Sequence, residues 1–392
     1  MRRPRLVHAV TVPVTARLLL RGQLRYLRER GFDVSVVASP GAELEEVART
    51  EGVRVASVPM ARDPAPVADL VSLGRMMHAL RALAPDVVVA STPKAGLLGT
   101  MAAFGLRVPV RVYFVRGLRL ETAAGRLRQV LLGTERLASR CATHVVCNSP
   151  SLVRRVGELR LAPASKVSMV GAGSSNGVDV ERFSPSEARR AEGLALRRRL
   201  GIEDGAVVIG FLGRLVEDKG IGELLDAFDS LGDRPVHLLL VGGDLAGDAL
   251  PARLRERVER APRVHVTGTV SNPEAWYAAM DVLAFPSYRE GFPNVPLEAA
   301  CAELPVVGFR ATGVVDAVVD GVTGTLVPMR DARALADALR RYVDDRTLRS
   351  EHGRAGAARV RAEFSRERVW RAWGDALDGM LRSVGLPTSR GG

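Results

Sequence analysis

Short β-rich runs alternate with helix-patterned stretches along this chain, and the alternation occurs twice. In the first half the β-rich runs are residues 6–12, 34–38, 53–58, 87–90, 110–115, 144–147 and 167–170. The stretches between them carry helical spacing, as in residues 23–31, where Gly31 suits a C-terminal cap. In the second half the runs fall at residues 206–212, 237–241, 264–267, 282–285, 305–308 and 325–327. Strand–helix alternation at this period constrains the chain to parallel sheets wrapped by helices. The expected fold class is therefore α/β, with two doubly wound parallel-sheet domains. The boundaries read as a first domain over residues 1–178, a second over 179–364 and C-terminal helices over 365–392 that are expected to pack back toward the first domain. Glycines between residues 171 and 177 suggest a hinge. Residues 364–381 read as one or two amphipathic helices, with Val369, Trp370, Trp373, Leu377 and Met380 on apolar positions; core packing is the simpler role for those aromatics. Residues 385–392 read as frayed.

A chain of 392 residues with 47% hydrophobic and 26% charged residues has ample material for such cores. The cysteines, Cys141, Cys147 and Cys301, form neither a C-x-x-C pair nor a metal-ligand pattern with histidine, which fits a reduced, cytoplasmic compartment. The N-terminal apolar run is short and broken by His8, Thr11 and Pro13, so it reads as a first core strand and not as a signal peptide. No apolar run approaches the roughly 18 residues needed to span a bilayer. Charge is distributed unevenly. Residues 1–178 hold 26 Lys+Arg against 12 Asp+Glu, whereas residues 179–392 hold 30 against 32. The first half is thus expected to meet something anionic, the bland alternative being arginine-decorated solvated faces. Nucleic acid is not expected, because no helix-turn-helix, zinc finger or aromatic RNA-reading motif occurs. The stretch 124–140 sets basic and apolar residues at helical spacing and suits either an anionic membrane surface or a helix packed on the sheet.

Two glutamates eight positions apart, Glu290 and Glu298, stand at the turn from a strand ending near Pro286 into a helix starting near Val295. Asn294 can cap that helix and Pro296 fits its first turn. Open α/β sheets bind ligands at this edge. Carboxylates there accept from hydroxyl-rich ligands, and the amides of a helix start hold anions. A nucleotide sugar offers both features, although a glutamate early in a helix is also a common cap or dipole partner. A second element strengthens the pairing. The first strand of the second half ends in Gly213 and Arg214, followed by Lys219 just before a helix start. A lysine at that end is misplaced electrostatically unless an anion joins it, or unless Glu217 or Asp218 neutralises it. Only three lysines occur in a strongly Arg-dominated basic set, so a compact point charge is favoured at position 219. Arg214 and Lys219 together can bind a diphosphate and stabilise it as it leaves. No Asp-x-Asp triplet occurs, so no metal is expected to be required.

Arg214 and Lys219 five positions apart, with the Glu290/Glu298 pair, resemble the retaining glycosyltransferases of family 4. Supporting stretches are Cys147-Asn-Ser149, Asn176-Gly-Val-Asp179, Pro286-Ser287 and Gly321-Val-Thr-Gly324. The likeness covers nearly the whole chain and is most specific over residues 210–330. It implies the GT-B fold, two Rossmann-like domains facing a central cleft, and a UDP-sugar co-substrate without a metal or other cofactor. By position it implies that Arg214 and Lys219 bind the donor diphosphate, that Glu290 contacts the donor sugar and that Glu298 contacts the ribose. Gly291, Phe292, Pro293 and Asn294 would line the donor loop, with Val270 near the base. Residues 91–99 and 21–24 resemble capsule, O-antigen and glycan-assembly transferases, which implies a saccharide acceptor linked to a polyprenyl diphosphate at the inner membrane face. The chain departs from the family pattern at residues 13–20, where many members have paired glycines, and at Arg116-Gly117, where many have a histidine. Both departures lie in the acceptor half. Lys94, Arg116 and Arg119 are candidates to meet an acceptor phosphate. Transfer to a soluble natural product, and a UDP-sugar 2-epimerase of similar architecture, stand as alternatives.

Overall fold

A computed structural model describes residues 2–61, 63–243 and 250–390 and divides the chain into two units. The first comprises Met1–Gly177 with Glu367–Gly392, and the second is Val178–Arg366. The division falls between residues 366 and 367, so the C-terminal residues belong to the first unit and Phe364 to the core of the second.

The first unit is built on β1 (Arg5–Ala9), β2 (Asp33–Ala38), β3 (Arg54–Ser57), β4 (Val87–Ser91), β5 (Val110–Val115), β6 (His144–Cys147) and β7 (Val167–Met169). Their order across the sheet is β3-β2-β1-β4-β5-β6-β7, with every pairing parallel. The second is built on β8 (Val207–Leu212), β9 (Val236–Val241), β10 (Val264–Val266), β11 (Val282–Phe285), β12 (Val306–Phe309) and β13 (Gly324–Val327). Its order is β10-β9-β8-β11-β12-β13, again all parallel. Valine dominates these strands because helices cover both faces and leave no solvent side, and every residue of β4 and of β9 is buried. In each unit the chain runs outward from its first strand and then returns to that strand's other side. The resulting switch points lie between β1 and β4 and between β8 and β11. Crevices at such points, beyond the carboxyl ends of the strands, are where doubly wound sheets bind ligands.

Several expectations change in detail. The first strand stops at Ala9, and Pro13 opens a helix, Pro13–Leu19, at the position where a missing N–H costs nothing. The C-terminal apolar pattern forms one helix, Arg366–Ser383. Its Trp373, Leu377 and Leu381 pack into the core that also holds Leu6, Val34, Val89 and Phe114. A buried ion pair, Arg30 to Asp378 at 2.7 Å, fastens it to the helix Gln23–Arg30. The tail after it is not frayed over the described residues, since Ser389 donates to Asp378 from both its amide and its hydroxyl, each at 2.8 Å. The suspected hinge is pinned to the first unit. Asn148 Nδ2 donates to Ser175 Oγ at 2.9 Å, Gln23 Nε2 to the Ser175 carbonyl at 3.2 Å, and Trp370 Nε1 to Asn176 Oδ1 at 2.6 Å.

Candidate active site

At the second switch point two connections meet. The one leaving β8 carries Gly213 and Arg214, turns through Glu217–Lys219 and enters the helix Ile221–Asp229 at Gly220. The one leaving β11 carries Pro286 to Gly291 and enters the helix Asn294–Cys301. The Tyr288 amide donates to the Asp218 carbonyl at 3.0 Å, and Arg289 pairs with Asp218 at 3.0 Å. Gly220 has φ +68°, and a methyl there would lie 2.2 Å from the Pro286 carbonyl oxygen. Only glycine permits that approach.

The consequence is that Lys219 and Glu290, 71 positions apart, form a half-buried ion pair. Ser287 joins them: its hydroxyl lies 2.8 Å from Glu290 Oε1 and 3.4 Å from Lys219 Nζ. Among the described residues Lys219 makes no ion pair with Glu217 or Asp218, and Asp218 is turned to Arg289. An ammonium carries three N–H donors, so the cluster retains capacity for an incoming anion. Arg214 is half-buried on the same β8 connection.

Glu298 lies in the helix of the β11 connection and accepts from the buried Tyr277 hydroxyl at 2.9 Å. Burial pushes its carboxyl above the usual range, partly offset by Tyr277 and the Arg182 guanidinium. Asn294 is not the cap that the sequence suggested. Pro293, in extended conformation, precedes the helix and Asn294 is its first residue, too far into the turn to accept from the following amides; its buried Oδ1 has no partner among the described residues. The Phe292 ring faces the core, 5.2 Å from Phe364, so only its backbone can line a ligand loop. Gly291 is buried, and its carbonyl is packed against Gly313, whose φ of +77° leaves 2.2 Å to an added methyl. Val270, half-buried, packs on the core around Trp276 and Leu297.

In the first unit two of the three basic candidates already have carboxylate partners. Lys94 is buried against Asp69, and Arg119 pairs with Asp63 at 3.0 Å on the surface. Arg116 has none among the described residues and lies 4.3 Å over the Phe114 ring.

The glycosyl transferases group 1 family matches residues 206–345, and the glycosyl transferase 4-like domain matches residues 15–173. The capsular polysaccharide biosynthesis glycosyltransferase CapM of Staphylococcus aureus is 37% identical over 372 residues, spanning 94% of this chain and 96% of that protein. The chain belongs to glycosyltransferase family 4. A D-inositol 3-phosphate glycosyltransferase of Corynebacterium urealyticum matches this family-4 glycosyltransferase at 39% identity over 197 residues, about half of each chain. The structure of Anabaena HepE in complex with UDP and glucose superposes with TM-score 0.80 at 23% identity, covering 95% of this chain and 98% of that one. Sucrose-phosphate synthase from Thermosynechococcus elongatus superposes with TM-score 0.79 at 19% identity, covering 97% and 100%. These likenesses give the glycosyltransferase the GT-B fold, and its family membership sets the epimerase alternative aside.

Sequence reasoning missed Ser287 as the bridge within the pair, Tyr277 as the partner of Glu298, and the Asp218–Arg289 pair. Pro286-Ser287 stood out only as a stretch. His8, noted only as a break in the first apolar run, was a further visible signal.

Proposed function

We propose that this glycosyltransferase moves a hexosyl or N-acetylhexosaminyl group from a UDP-sugar to a saccharide linked to a polyprenyl diphosphate, with retention of anomeric configuration, during capsule or related cell-surface polysaccharide assembly. The observation that carries this reading is the Lys219–Ser287–Glu290 cluster at the β8/β11 switch point, on the connection next to Arg214. The likeness to CapM along 94% of the chain supports the pathway, and HepE with UDP and glucose supports the donor class.

The chemistry follows from the charges. Breaking the sugar–phosphate bond leaves an additional negative charge on the UDP diphosphate. Arg214 and Lys219 would take up that charge as it develops, which lowers the barrier without a metal. A diphosphate at Lys219 would free Glu290 to accept from the sugar hydroxyls, while Glu298 would hold the ribose. Val270 and the backbone of residues 291–294 would border the nucleotide. The acceptor hydroxyl would attack from the face the diphosphate leaves and pass its proton to the departing phosphate oxygen. We further propose peripheral contact with the anionic inner face of the cell membrane, supported by the basic first half of the chain.

The test is transfer from a panel of UDP-sugars to a lipid-diphosphate saccharide, with product anomers read by NMR and chelator present. Lys219→Ala and Glu290→Ala should each lower kcat by about 100- to 1,000-fold. Undiminished turnover in both variants would remove the site.

A further inference from the structure

The first unit has its own unexplained polar cluster, at the carboxyl edge of β1, β4, β5 and β6. His8 on β1 is 1% exposed, Ser91 at the end of β4 is 1% exposed, and Asn148 just beyond β6 is 2% exposed. Both His8 ring nitrogens, Ser91 Oγ, Arg116 Nε and Nη1, Asn148 Oδ1 and Trp373 Nε1 are buried without a hydrogen-bond partner among the described residues. These atoms belong to one face of the sheet. Val89, Phe114 and Val146 share the core that Trp373 enters. Side-chain alternation carries that face on to Ser91, Arg116 and Asn148. His8 is registered with Val89, and Ser91 with Phe114. Arg116 stacks over Phe114, and Trp373 stacks on the same ring at 5.1 Å.

The energetics make this arrangement costly. A buried group without a partner forfeits its hydration, and a buried charge without a counterion forfeits more. Burial accordingly lowers the Arg116 pKa to about 9, and burial together with the Arg116 charge lowers that of His8 to about 3. The Arg116 charge is thus felt at His8, and no carboxylate among the described residues lies in ion-pair reach of either. Lys94 and Arg119, the other two basic candidates of this unit, are already paired with carboxylates. The unpartnered atoms are mostly donors: the guanidinium, a hydroxyl, an imidazole N–H and an indole N–H. An oxyanion answers these donors, whereas Asn148 Oδ1 and the unprotonated His8 nitrogen are acceptors.

We propose that His8, Ser91 and Arg116, backed by Asn148 and Trp373, form an oxyanion cradle at the first switch point that takes a phosphate or carboxylate group of the acceptor. This deepens the reading given above, since it assigns the acceptor an anionic group and places the residues that recognise it. Arg116 recognises charge, and Ser91 and His8 set the orientation.

The experiment keeps donor and acceptor sites apart. The full chain is saturated with UDP and then titrated calorimetrically with inorganic pyrophosphate, with glucuronate and with glucose. One or both anions should bind and glucose should not; the anion that binds identifies the group as phosphate or carboxylate. Arg116→Met should weaken that binding by about 100-fold, the loss expected when one partner of a buried charge pair is removed. Ser91→Ala, which removes a donor but no charge, should weaken it by about 10-fold. UDP affinity should be unchanged in both, and Arg116→Met should keep or raise Tm, because it removes an uncompensated buried cation. The proposal is overturned if the wild-type chain binds neither anion, if Arg116→Met binds as tightly as wild type, or if its Tm falls with loss of UDP binding. Absence of UDP binding in the wild type would instead strike the donor-site reading, and the anion titration would still decide this one.

Discussion

Glu135 sits on the buried side of the helix Gly125–Cys141 and accepts from the Tyr113 hydroxyl at 2.5 Å. Burial raises its pKa from 4.5 to about 7, the tyrosine offsetting a part. Between those two values the folded protein holds a proton that the unfolded chain releases. Its contribution to stability is thus complete below pH 4.5 and is lost as pH rises towards 7. His8 acts in the opposite sense, since the unfolded chain takes up a proton below 6.5 that the folded chain refuses down to about 3. Glu135→Gln removes the first effect and keeps an acceptor for Tyr113. The variant should match wild type near pH 4.5 and exceed it by about 3 kcal/mol at pH 8, at about 1.4 kcal/mol per pKa unit. Urea unfolding at both pH values measures this, and parallel behaviour of the two proteins would refute it.

At the scale of elements, the donor site depends on how tightly the turn into the helix Ile221–Asp229 lies against the end of β11. Gly220 and Gly232 share a φ of +68°, but an added methyl strikes the Pro286 carbonyl at the first and meets nothing within 4 Å at the second. Gly232→Ala should therefore cost only backbone strain, about 1 kcal/mol, whereas Gly220→Ala should cost about 3 kcal/mol or more and weaken UDP binding as the two connections separate. Thermal unfolding with UDP titration distinguishes them; equal effects would show that the approach is not needed. The same connections explain what the sequence made legible. Lys219, Glu290 and Glu298 stand out locally, as charges beside glycines at strand-to-helix turns. Their pairing does not, because it requires β8 to lie beside β11 with β9 and β10 on its other side. The strands were readable from apolar runs, and their ends shifted where proline or long-range bonds intervened. Asn294 had the chemistry of a cap, yet the helix began one residue earlier. The C-terminal helices were expected to pack back toward the first domain, but the residue they meet there was hidden, since amphipathic spacing marks a buried face and not its partner 348 positions away at Arg30.

For the molecule as a whole, the excess of basic residues lies in the first half of the chain. Among the described residues, no helix is long and apolar enough to cross a membrane. The helix Gly125–Cys141 nevertheless presents Leu127 (42% exposed) and Val130 (50%) to solvent beside exposed Arg126. Such a face suits the surface of an anionic bilayer, where each basic residue adds about 1 kcal/mol. The chain should co-sediment with anionic vesicles at low salt and release at high salt, and Arg126→Glu with Leu127→Asp should weaken the association. A chain wholly in the supernatant at low salt would end that proposal.

The first unit is interrupted in sequence by the second and is closed by the helix Arg366–Ser383. A ribosome therefore finishes Val178–Arg366 before it supplies the segment that covers Phe114 and Val89. At about 5–20 residues per second, synthesis of the intervening stretch takes roughly 10–40 s. Throughout that interval the nascent amino-terminal half must hold an uncovered apolar sheet face, so the half that is translated first is the one that matures last.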